Sequence, residues 1–276
     1  MVAAAKLRRV QERVEQGKPY AQTMTELVGT LANNVTDFSH PLLEKRPVGA
    51  IGIVVISADK GLCGSYNTNI LRQAHKFIDA KTAELQDNPE TGERKPIHLF
   101  TIGRKAGDYF TRRHYDITQK FPGMGPEMPY DQVRAISDAV LNLFLTGEVD
   151  EIYFCYTEFI NTITQRPQTV KFLPIEPPSG NDAENNAGTR LEFIYEPDAP
   201  ELLGVLLPRF VETRVYQLLM EAVAAEFGAR MTAMTSATKN AEEQIESLTL
   251  VANRTRQANI TKELLDIIGG AEALNG

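Results

Sequence analysis

The 276-residue chain predicts an α/β fold: a mostly parallel, doubly wound sheet inserted between two long helices, one at each end, that pair antiparallel. Three observations carry this. Apolar, β-branched runs alternate with helical stretches in the middle of the chain, as in parallel sheets covered by helices on both faces. Heptad-spaced apolar residues run through the first 38 residues and recur in the last quarter. After Pro208 there is no proline, and the only glycines are Gly228, Gly269, Gly270 and Gly276, so good helix formers dominate to the end.

Taken in order, the first helix carries Ala3, Leu7, Val10, Val14, Gly17, Ala21, Met24, Val28, Leu31, Val35 and Phe38 at spacings of four and three. Five such repeats mark a coiled-coil seam rather than a helix with one globular face. Pro19 removes a backbone donor and should loosen the helix locally. The helix should stop near Ser39-His40-Pro41, because a residue before proline is pushed out of the α region. Its opening, Met-Val-Ala-Ala-Ala-Lys, already reads as mid-helix with no capping residue ahead. Either the helix begins with the chain or residues upstream are missing.

The central stretch reads as strand at Val48–Ser57, helix at Ser65–Gln86, strand at Pro96–Gly103, helix at Arg104–Arg113 and a short strand at Ile117–Phe121. Phe121–Pro129 is a Pro/Gly-rich loop, and Tyr130–Leu145 is an amphipathic helix. Glu151–Phe159 is a third central strand. Thr162–Leu173 is an edge strand, where Pro167 is tolerated because no ladder donor is needed. The polar segment Pro174–Arg190 is a loop, and Leu191–Tyr195 a last short strand. The long helix then starts near Glu201, with Gly204 and Pro208 in its first turns.

From Arg209 to Gly276 a helix would reach roughly 100 Å, more than a domain of this size can cover. Its own seam is Phe227, Met231, Met234, Thr238, Ala241, Ile245, Leu248, Ala252 and Thr255. Pairing of that stretch with the first helix is the expected arrangement. Arg209 to about Phe227 should pack on the α/β domain, and the tip from Arg256 onward has no seam partner in the chain. The expected division is residues 1–44, 45–200 and 201–276.

Composition narrows function. The charged share is 24%, the hydrophobic share 42% and the formal net charge −7. That balance suits a soluble globular protein and disfavours a nucleic-acid binder, which needs a basic field. No apolar run reaches the 18 or so residues of a membrane span, and Met1 opens no secretory signal. Neither long helix sets a continuous basic face against an apolar one, as a membrane-surface helix would. Cys63 and Cys155 stand 92 residues apart and read as reduced cytosolic thiols.

The loop after the first strand, Ser57-Ala58-Asp59-Lys60-Gly61-Leu62-Cys63-Gly64-Ser65-Tyr66-Asn67, lacks both a dinucleotide G-x-G-x-x-G and a phosphate-binding G-x-x-x-x-G-K-[ST]. It reads as a structural turn ending in a Ser/Asn-capped helix. His40, His75, His98 and His114 are scattered without ligand spacing, and Ser57 and Ser65 lack nucleophile context. No catalytic constellation, metal site or cofactor is indicated. Charges on the long helices (Lys6, Arg8, Arg9, Arg13 and Lys18; then Arg230, Lys239, Arg254, Arg256 and Lys262 among Glu242, Glu243, Glu246, Glu263 and Asp266) fit a solvated face or a surface offered to a partner.

Four stretches closely resemble the gamma subunit of bacterial F-type ATP synthase: Met1–Arg9 (MVAAAKLRR), Ser57–Asn67 (SADKGLCGSYN), Glu226–Ala241 (EFGARMTAMTSATKNA) and Asn253–Ala271 (NRTRQANITKELLDIIGGA). The last holds the family's C-terminal signature, here Ile260, Thr261, Glu263, Asp266, Gly270 and Ala271. The resemblance implies a long antiparallel coiled coil of N- and C-terminal helices with an inserted Rossmann-like α/β domain. It implies a non-catalytic rotor shaft, one copy per complex, standing in a hexamer of three alpha and three beta subunits. Its foot would rest with the epsilon subunit on the c-subunit ring, at the cytoplasmic face of the bacterial plasma membrane. Proton or sodium flow would turn it and drive ATP synthesis, with no nucleotide bound by the chain itself.

Carried over by position, Arg230, Arg254, Arg256, Gln257, Thr261 and Glu263 would touch the beta subunits. Ile267, Ile268, Ala271 and Leu274 would turn in an apolar sleeve, and the basic residues of the first helix would face acidic beta-subunit segments. The seam would hold Leu7, Val10, Val14, Met24, Leu31, Met231, Met234, Ile245 and Leu248. Two departures stand out: the family continues upstream of the Met1 position, and the chloroplast-type insert with its close cysteine pair is absent. Two other readings compete, a stand-alone α/β nucleotide-binding enzyme with a coiled-coil dimerisation arm and a coiled-coil scaffold.

Overall fold

The computed structural model describes residues 2–34, 40–85, 96–123, 125–176 and 198–275, the side chains of 32–34, 199 and 272–275 excepted. Val35, Phe38, the Leu191–Tyr195 strand, most of the Pro174–Arg190 loop and the side chain of Leu274 lie outside the described residues. The elements run α1 (Val2–Asn34), β1 (Ile51–Ile56), α2 (Tyr66–Glu84), β2 (Ile97–Ile102), α3 (Arg104–Thr111), β3 (Ile117–Phe121), α4 (Tyr130–Leu145), β4 (Glu151–Phe159), β5 (Gln165–Leu173) and α5 (Ala199–Asn275). Pro41–Leu43 forms a short 3-10 turn, and Pro19 lies inside an assigned α1 that runs through it.

The five strands order β3-β2-β1-β4-β5. β1 pairs parallel with β2 and β4, and β2 with β3; β5 is antiparallel on β4. Pro167 sits on that edge opposite Thr157, where its missing N–H costs no ladder bond. Entry into β1 is set by Asp150, whose Oδ2 accepts the backbone N–H groups of Gly49 and Ala50 at 2.6 and 3.0 Å.

Strand alternation divides the apolar residues between two layers. Ile51, Ile53, Val55, Leu99 and Cys155 face α2 and α3, meeting Ile70, Ala74, Ile78 and Phe110. Val54, Ile56, Phe100, Ile102, Ile152 and Phe154 face the other way, into a larger core built from α1, α4 and the first part of α5. Both faces are covered, which is why β1 reads as a continuous apolar run and is buried along its whole length. At the end of β2, Gly103 turns the chain into α3 with φ +89°; a Cβ there would stand 2.1 Å from the Ser57 carbonyl oxygen.

Two compact units result, Met1–Thr232 and Ala233–Gly276. This differs from the expected division at 44 and 200, because α1 and the start of α5 share one core with the sheet. Leu7, Val10, Met24, Val28 and Leu31 of α1 lie buried in the same cluster as Leu203, Leu207, Val211, Val215, Leu219 and Phe227 of α5. Lys6 stands over Phe227, while Lys18 and Ala21 line the same groove as Pro208 and Arg209, so the two helices run antiparallel.

The pairing is therefore displaced from the expected Phe227–Thr255 to residues 203–231. α1 and the first part of α5 pack in the same core, with Lys6 near the start of α1 set over Phe227. A helix of 33 residues can then face only the first 30 or so of α5. Val14 is half-buried, as are Met231 and Met234, but Ile245 and Leu248 are 64% and 66% exposed.

Candidate functional site

In an open doubly wound sheet the ligand position is the crevice at the carboxyl ends of the strands where strand order reverses, here between β1 and β4. On the β2 and β3 side of β1, the loop after β1 is tied down by its own side chains. Asp59 Oδ1 accepts the N–H of Arg104 at 2.8 Å, at the start of α3, and that of Gly123 at 3.1 Å. Ser57 Oγ accepts the N–H of Ala106 at 2.8 Å. Donors that could cradle a phosphate are thus committed internally. Next to them α5 crosses the crevice: Ala225 and Ala229 pack with Ala58, Cys63, Tyr66 and Phe159.

The loop over the crevice is held differently from the expected Ser/Asn cap. Ser65 occupies the N-cap of α2 without a side-chain cap bond. Asn67 instead staples the loop: its Oδ1 accepts the Ala58 N–H at 3.0 Å, and its Nδ2 donates to the Lys60 carbonyl at 3.3 Å and Cys63 Sγ at 3.1 Å. An asparagine inside the first helical turn satisfies the preceding loop because its short amide reaches backbone groups on either side. Burial pushes the Cys63 thiol up, helped by the nearby Glu226 carboxylate. Tyr66, buried and donating to the Ala222 carbonyl at 3.1 Å, is held well above its usual range, chiefly by burial.

Arg230 lies beside this loop rather than in the open. Its side chain is 18% exposed, it donates to Glu226, and its guanidinium stands 5.7 Å from the Phe227 ring centre. Glu226, 12% exposed, is pushed up by burial and pulled back by Arg230. The other residues expected to meet a partner fall in the second unit. From Thr235 to Ala271 every residue of α5 is exposed, including Arg254, Arg256, Gln257, Thr261 and Glu263. Arg256 donates to Asn253 Oδ1 at 3.0 Å. Lys239–Glu243, at 3.9 Å, is the ion pair found in this unit among the described residues.

Large apolar side chains stand bare in the same segment: Ile245, Leu248, Leu250, Val251, Ile260, Leu264, Leu265, Ile267 and Ile268 are between 51% and 68% exposed. Ala271 is exposed with them. Full burial of one such side chain is worth about 1.5–3 kcal/mol, so this helix carries a large unspent drive for association. Missed in the sequence were the contacts made by Phe159, Tyr66 and Thr162 on α5. The signal was present: Gly228 is the one glycine between Gly204 and Gly269 in a helix of 77 residues, as a close approach requires.

A doubly wound body crossed at its strand ends by its own last helix, which then continues as an exposed segment, defines a shaft-bearing subunit. A family model described as ATP synthase matches residues 1–274. The ATP synthase gamma chain of Desulforamulus reducens is 46% identical over 276 residues, covering 99% of this chain and 91% of that one. The gamma chain of Desulfitobacterium hafniense is 43% identical over 274 residues, with coverages of 99% and 91%.

Among solved structures, a chain of the Tetrahymena thermophila mitochondrial ATP synthase central stalk and c-ring shares the fold. Its TM-score is 0.59 and its identity 23%, over 86% of this chain and 96% of that one. A chain of the Euglena gracilis mitochondrial ATP synthase (OSCP/F1/c-ring) gives a TM-score of 0.57 at 19% identity, over 98% and 95%. The chain belongs to the ATP synthase gamma chains, the family of rotor-shaft subunits.

Proposed function

We propose that the chain is the non-catalytic shaft, present once per complex, that couples ion flow through a membrane ring to the nucleotide sites of an alpha–beta hexamer. The first unit is the foot, resting with an epsilon subunit on the c-subunit ring. Residues 233–276 enter the hexamer. Torque from the ring turns the chain, and its asymmetric surface favours a different conformation in each of three beta subunits at each angle. Coupling then amounts to unequal affinity of one ligand for the states of three identical sites.

Within this reading Arg254, Arg256, Gln257, Thr261 and Glu263 make polar contacts with beta subunits, and Ile267, Ile268, Ala271 and Leu274 turn against an apolar sleeve. Arg230, held by Glu226, acts at the base of the segment. The complex is peripheral, at the cytoplasmic face of a bacterial plasma membrane; no described helix is long and apolar enough to cross one. One observation carries the reading: among the described residues α5 is exposed without interruption from Thr235 to Ala271, with its isoleucines and leucines bare, as a surface for partner subunits would be.

Co-expression with alpha and beta subunits should yield an assembly of three alpha, three beta and one copy of this chain. In inverted vesicles, Arg256→Ala, Gln257→Ala and Glu263→Ala together should lower ATP synthesis on the order of tenfold, the scale of coupling free energies of about 1–3 kcal/mol. A chain that purifies without alpha and beta, or synthesis unchanged by the three substitutions, would overturn the assignment.

A further inference from the structure

Three separate parts of the first unit grip α5 over one stretch, residues 222–232. From α1, the Lys6 ammonium lies 5.6 Å from the Phe227 ring centre. From the first residue of α2, Tyr66 Oη donates to the Ala222 carbonyl at 3.1 Å, and Cys63 of the loop before it packs with Ala225. From the end of β4, the Phe159 ring seats on Gly228, where a Cβ would stand 3.0 Å from Cε2. In the turn that follows, between β4 and β5, the Thr162 carbonyl accepts from Thr232 Oγ1 at 2.9 Å. The grip ends at residue 232, the last of the unit.

We propose that this collar is a torsional clamp, which stops α5 from turning about its own axis so that torque on the first unit enters the helix before residue 233. Apolar packing alone is non-directional, and a smooth apolar stripe lets a helix roll. At 3.6 residues per turn, residues 222, 225, 228 and 232 fall on one side of α5 and Phe227 on the opposite side. Contacts from both sides, with a ring in a glycine notch and two directional hydrogen bonds, oppose rotation in either sense. Phe159, Tyr66 and Lys6 are thereby positioning residues for coupling. The inference rests on the rotor reading, and the experiment separates the two.

The test uses the assembled complex with alpha and beta subunits, immobilised through the hexamer, with a bead on the first unit at Arg112→Cys. The native thiols are buried and stay unlabelled. Angular fluctuations during a nucleotide-held dwell report torsional stiffness. Phe159→Ala should reduce stiffness on the order of twofold, since one of the three gripping parts loses its close-packed knob. The kcat of ATP hydrolysis should stay near wild type, and Phe159→Leu should recover most of the stiffness.

Tyr66→Phe and Thr232→Val, each removing one hydroxyl, carry the same test should Phe159→Ala fail to assemble. Their combination should also soften the attachment. Unchanged stiffness in an assembled, rotating variant overturns the clamp and leaves the rotor reading intact. A wild-type chain that neither assembles nor rotates overturns both.

Discussion

At the scale of single residues, the Glu226–Arg230 pair concentrates the electrostatics of the collar. Desolvation pushes the Glu226 carboxyl up and Arg230 offsets part of that. The folded chain thus holds this proton more tightly than the unfolded chain, so the stabilising contribution is present at low pH. It is lost as pH rises from the ordinary glutamate value, about 4.3, through the raised folded value. Glu226→Gln, neutral at every pH and still able to accept from Arg230 through its amide oxygen, should make the unfolding free energy less pH-dependent in that window and should not lower it near neutrality. Denaturant titrations at several pH values read both effects. Cys155, pushed up to about 12 by burial, stays a thiol across the same range and acts as a small apolar side chain.

At the scale of elements, α1 and α5 show that a seam is a capacity for pairing rather than an assignment of partner. Both stretches of α5, 203–231 and 227–255, carry apolar residues at suitable spacing, yet only the first meets α1. Leu31 is fully buried while Leu248 is 66% exposed. In the isolated chain Leu31→Ala should cost about 2–5 kcal/mol, whereas Leu248→Ala should stay within about 0.5 kcal/mol. Equal costs, measured by chemical denaturation, would show that α1 reaches the distal stretch after all. The strands behaved more simply. Continuous β-branched runs placed β1 and β2, and Pro167 placed an edge, because each signal is local to its strand.

At the scale of the whole molecule, every buried residue among those described lies at or before Gly228. The unit from Ala233 onward has no core of its own, so its helix is held by propensity and by neighbours yet to be met. A chain ending at Thr232 should therefore unfold within about 2 °C of the full chain, less than a 1 kcal/mol loss would produce. A larger drop in Tm would mean that the distal helix stabilises the first unit. In complex with alpha and beta subunits the full chain should gain protection from hydrogen exchange over 235–271, the segment that is bare alone.

The sequence by itself determined the alternation of strands and helices, the long uninterrupted α5 and the family resemblance. Those depend on local periodicity, on the absence of helix breakers and on short motifs, all readable along the chain. It also placed Gly228 in a helix without saying why. Only the tertiary structure decided which part of α5 meets α1, that Arg230 is folded back onto Glu226, that Asn67 staples a loop, and that the ligand crevice is closed by Phe159 and α5. Each of these depends on a tether or a contact between residues far apart in sequence, and many registers satisfy the same pattern until the sheet fixes where each helix must start.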